Sequence, residues 1–155
     1  MKTIQLLVLA CASLFATASL SAHCQVPCGI FADELKFGEL EQHIETIDKA
    51  GRLVREISAQ EALTAQDRQQ IIRWTNTKEG HAQNIIDEAA NYFLAQRIKL
   101  DAEQYAEKIE LLHHIIIFSM KSKQTVENEP VVVLSKKLAD FKALYLGDSH
   151  KHHSH

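Results

Sequence analysis

Residues 23–31 read HCQVPCGIF, placing one histidine and two cysteines within six positions. If the chain is cut after Ala22, four donors gather there: the free amine of His23, the amide nitrogen of Cys24 and the thiolates of Cys24 and Cys28. The amine and the neighbouring amide close a five-membered chelate ring around a metal, and the Cys24 amide with its own sulfur closes a second. Pro27 restricts the turn that returns Cys28 to the fourth corner, and the His23 imidazole is near enough to approach axially. A flat set of two nitrogens and two sulfurs suits Ni(II) or Cu(II), whereas zinc prefers a tetrahedron. Thiolates lower the reduction potential, and an axial imidazole favours a higher oxidation state. The competing reading is a Cys24–Cys28 disulfide, ordinary in an oxidising compartment. So short a loop gains little restraint from one.

That chemistry needs a freed amino terminus. The first 22 residues carry Lys2, an apolar run from Leu6 and small residues near the end, the pattern of a secretory leader. Cleavage after Ala22 is expected despite Leu20 at −3, with Ala18 as a competing site. The product, exported to a periplasm or outside the cell, would have 133 residues, enough for one domain with a core. Its net charge is −4 with neutral histidines, which argues against a nucleic-acid partner. The longest later apolar run, IIIF at 115–118, is far short of the ~20 residues of a membrane span.

From residue 32 onward apolar residues recur at helical spacing. Leu40, Ile44, Ile47, Val54 and Ile57 stripe a first helix over 33–58. Thr64 and Asp67 form a capping pair for a second, striped by Ile71, Trp74, Lys78, Ala82, Ile85, Ala89 and Phe93, with Lys78 the odd polar member. Asp101, with Gln104 three later, is the expected cap of a third, faced by Tyr105, Ile109, Leu112, Ile116 and Met120. Pro130 suits the first turn of a fourth, striped by Leu134, Leu138, Phe141 and Tyr145, with Gly147 as its stop. The expected fold is all-α, an antiparallel up-and-down four-helix bundle over 32–147. The leader (1–22) and the metal-binding segment (23–31) precede it, and a His-rich, disordered tail (148–155) follows.

HCQVPCGIF resembles the nickel hook of nickel-containing superoxide dismutases, H-C-x-x-P-C-G-x-Y, matching at His23, Cys24, Pro27, Cys28 and Gly29. RWTNTKEGHAQ (73–83), YFLAQRIK (92–99) and the LLHH and MKSKQ stretches within 111–124 resemble helices of the marine-type members. The resemblance implies disproportionation of superoxide to O₂ and H₂O₂ by a Ni(II)/Ni(III) couple, one nickel per subunit. It gives His23 as amine and axial imidazole, Cys24 as amide and thiolate, and Cys28 as the second thiolate. It also implies a homohexamer. The family's acidic residue that bonds the axial imidazole falls on Glu39, a usual way of orienting a ligand ring; the arginine supporting that contact falls on His81.

Phe31 stands where the family has tyrosine, so a hydroxyl above the metal is lost while the aromatic wall remains. Altered gating or product inhibition is expected; alternatively Phe31 is a hydrophobic staple onto the first helix. His81 either fills the arginine's place, is an ordinary bundle histidine, or adds a metal ligand that would favour copper. His43, His113 and His114 read as packing or interface residues, and HKHHSH (150–155) as a loose metal-capture appendage or a tag-like scar. Lys36, Lys121 and Lys123 are candidates for steering an anion. Beside the nickel enzyme stand three other readings: a copper-dependent dismutase, an exported metal-binding or delivery protein, and an inert bundle with a structural disulfide.

Overall fold

The computed structural model describes residues 33–152, with side chains through Gly147. The leader, His23, Cys24, Cys28 and Phe31 lie outside the described residues. Helix α1 spans Asp33–Ser58 and α2 spans Ala65–Asp87, continuing without a break into a π-helix over Glu88–Arg97. Helix α3 spans Tyr105–Gln124 and α4 spans Glu129–His152. Short connections make successive helices antiparallel, and α1 packs on α2, α2 on α3, α3 on α4 and α4 back on α1. The expected all-α four-helix bundle is what forms; the described residues contain no strand. No described helix is long and apolar enough to cross a membrane.

The caps follow local chemistry. Thr64 Oγ1 accepts from the Asp67 amide at 3.1 Å, and Asp67 Oδ2 accepts from the Thr64 amide at 2.9 Å, a reciprocal capping box. Asp101 does not cap α3. The N-cap is Gln104, in the left-handed region at φ 52°, and its side chain reaches forward to Glu107 at 3.3 Å. Gly147 does not stop α4 either: no described glycine has positive φ, and the helix continues to His152.

Leu40, Ile44, Ile47 and Val54 of α1 and Leu134, Leu138 and Phe141 of α4 are buried as their periodicity predicts. The face of α3 is broader than expected: Leu112 is buried and Tyr105, Ile109 and Ile116 pack against the core as predicted. Leu111, Leu112 and Ile115 are buried together with Lys108, Ser119 and Ser122, while Met120 is 45% exposed. Lys78, 3% exposed, is explained by its partners: its ammonium donates to the carbonyls of Ser122 at 2.5 Å and Lys123 at 2.8 Å. A cation there caps carbonyls that a helix C-terminus leaves unsatisfied. Phe37, Phe93, Phe141 and Tyr145 pack with ring centroids 5.1–5.8 Å apart, forming an aromatic floor beneath the first turn of α1.

Candidate functional site

Polar side chains concentrate where α1 begins. Asp33, in the first turn, accepts from three donors: the Tyr92 hydroxyl on one oxygen, and Arg97 Nη2 at 2.5 Å and the Tyr145 hydroxyl at 2.6 Å on the other. Arg97 Nε also donates to Tyr145 at 3.2 Å. Burial, then the bond to Asp33, pushes the Tyr145 hydroxyl up to about 12, and the same causes raise Tyr92. Both phenols therefore stay protonated and donate at neutral pH. Three elements meet on this one carboxylate.

One turn along α1, Lys36 donates to Glu39 at 3.0 Å and to Glu88 of the π-helix at 3.2 Å. Burial opposes its charge, but the two carboxylates prevail and hold the ammonium above its ordinary range. Glu39 is 54% exposed, whereas Glu88 is 20% exposed and its Oε2 is buried without a partner among the described residues. With its charge matched twice over, Lys36 is no free steering cation. Lys121 and Lys123 lie in the last turn of α3. The following loop meets the far end of α1 through Arg55 and the Val126 carbonyl, at the opposite end of the bundle from Asp33.

His81, on α2, is paired with His43 of α1, the two Nδ1 atoms 2.8 Å apart and the rings inclined at 72°. Two ring nitrogens at that distance require one proton between them, one nitrogen donating and the other accepting. Burial, then the nearby His81, lowers the His43 pKa against the opposing pull of Glu39 and Glu88. Glu39 and His81, linked by the sequence reading, thus bond to different partners, Lys36 and His43 respectively. Sequence reasoning passed over Glu88 and read His43 only as a packing or interface residue. Nothing local marks them, since His43 meets His81 across 38 positions and Glu88 meets Lys36 across 52.

Among the described residues, no three His, Cys, Asp or Glu side chains converge as metal ligands. The bundle end offers hydrogen-bonding groups and a lone buried carboxylate oxygen rather than a ligand set. Were the chain cut after Ala22, the amine, amide and two thiolates of residues 23–28 would fit nickel by donor chemistry, and Cys28 precedes α1 by five residues in the chain.

The four-helix bundle gathers polar side chains at the start of α1, and bundles of this kind serve many functions. The family model for nickel-containing superoxide dismutase matches residues 18–149, so the chain belongs to that family. It is a nickel-type superoxide dismutase, with superoxide as its substrate. No curated protein and no solved structure gave a match.

Proposed function

We propose that nickel is held by His23, Cys24 and Cys28 at the amino terminus exposed by cleavage after Ala22. The carrying observation is that the family match runs over 18–149, taking in HCQVPC together with the whole bundle. Nickel bound there supplies one-electron cycling between Ni(II) and Ni(III), which the side chains alone lack.

The remaining tasks belong to the chain's own groups. Glu39 accepts from the His23 imidazole and fixes its ring. His81, held by His43, fills the place of the family's arginine on the neighbouring helix. Phe31 provides an apolar wall without the hydroxyl that would retain small anions. With His81 Nδ1 bonded to His43, only Nε2 is left for any metal. The leader directs export, its removal completes the donor set, and subunits assemble as a homohexamer.

Native-purified protein should begin at His23 by intact mass, contain one nickel per chain, and dismutate superoxide in pulse radiolysis. Nickel bound through Cys24 and Cys28 without turnover would overturn the proposal. So would a mature chain beginning at Ser19, because the amine would then lie four residues from its place.

A further inference from the structure

The π-helix is the least ordinary element of the bundle, and its side chains are those that grip α1. Its register is explicit: the Ile98 amide donates to the Phe93 carbonyl at 2.9 Å, an i→i+5 bond. Such turns are wider than α-turns and are enriched at functional sites. The register decides which residues share a face. Tyr92 and Arg97 are five apart, about 140° from one another around an α-helix, but within about 50° at roughly 4.4 residues per turn. The wide turn thus lets both reach Asp33. Glu88, at the start of the same element, holds Lys36.

Two polar residues in the first turns of α1, Asp33 and Lys36, are therefore fastened to one element. Asp33 lies five residues after Cys28. We infer that the π-helix is the anchor of the metal-binding segment: Tyr92, Arg97 and Glu88, with Tyr145 of α4, fix the first turns of α1, to which residues 23–32 are joined in the chain. They are positioning residues for nickel binding. A tethered chelate loses less conformational freedom on closing around a metal when its base is already fixed. This inference rests on the proposed ligand set at His23, Cys24 and Cys28.

The test is nickel affinity of mature, folded protein, measured by competition with a chelator and by the thiolate-to-nickel absorption bands. Asp33→Asn keeps the shape but removes the charge on which three donors converge. It is expected to retain helicity and to bind nickel more weakly by on the order of tenfold, with shifted bands. Tyr145→Phe and Arg97→Lys should show the same direction at smaller size, and they carry the test if Asp33→Asn does not fold. Folded variants with parental affinity and bands would overturn the inference. Cys28→Ser separates the two readings. If it binds nickel as the parent does, the ligand assignment fails; if it loses nickel while Asp33→Asn binds normally, only the anchor fails.

Discussion

Replacing His43 by leucine tests the shared proton between His43 and His81. At pH 8 His43, its pKa lowered by burial, is neutral, and the substitution leaves His81 Nδ1 without its partner at 2.8 Å. A buried polar group stripped of its bond costs roughly 1–3 kcal/mol. Both rings are only partly buried, so about 1 kcal/mol is expected, a fall in Tm of about 3–6 °C for a domain of this size. Acid reverses the comparison. The native His43 pKa is depressed by burial and by His81, so below about pH 6.5 the unfolded chain takes up a proton that the folded chain refuses. Parental stability should then fall by at most ~1.4 kcal/mol per pH unit from this group. The variant lacks that loss, and its deficit should shrink or change sign by pH 5. Lys36, Glu39 and Glu88, which also act on His43, are common to both proteins, as are the hook donors, and cancel in the difference. Urea titrations from pH 8 to pH 5 give the result directly. A parent–variant gap that does not change with pH would refute the reasoning.

Lys78→Met should cost about 1–3 kcal/mol in urea melts, because the carbonyls of Ser122 and Lys123 lose the ammonium that caps them; an unchanged midpoint would count against that role. Gly80→Ala should stabilise by roughly 0.5–1 kcal/mol, since an added Cβ meets nothing within 4 Å. Gly51→Ala should gain less or lose, because its Cβ would lie 3.3 Å from the Val126 carbonyl oxygen; thermal melts of the pair compare them. Phe31→Tyr restores the hydroxyl of the family pattern, and its expected signature is a changed sensitivity of dismutation to small anions, read by inhibition with azide.

The bundle was legible because Leu40, Ile44, Ile47 and their counterparts on α4 repeat at the spacing that burial demands. The face of α3 was legible only in part, because its buried side also includes Lys108, Ser119 and Ser122. Polar residues there interrupt the apolar stripe, and Met120 continues its spacing onto the exposed side. The π-register left no trace in the pattern, since Ala89 and Phe93 fit an α-stripe equally well. The donor set at 23–28 could be proposed from sequence because chelation by adjacent residues is a local property, but it lies outside the described residues. The groups around Lys36 and His43 could not, because each contact joins helices far apart in the chain.

The wide turns over Glu88–Arg97 also make this end of the molecule sensitive to length as well as to residue identity. Deleting one residue such as Ala90, which none of the bonds described above uses, would let the segment relax to tighter winding. With α-winding, Tyr92 and Arg97 would lie about 140° apart instead of about 50°. Arg97 would swing off its carboxylate although no charged or aromatic side chain had been altered. An insertion or deletion here would therefore act as strongly as a change in the bonded side chains themselves.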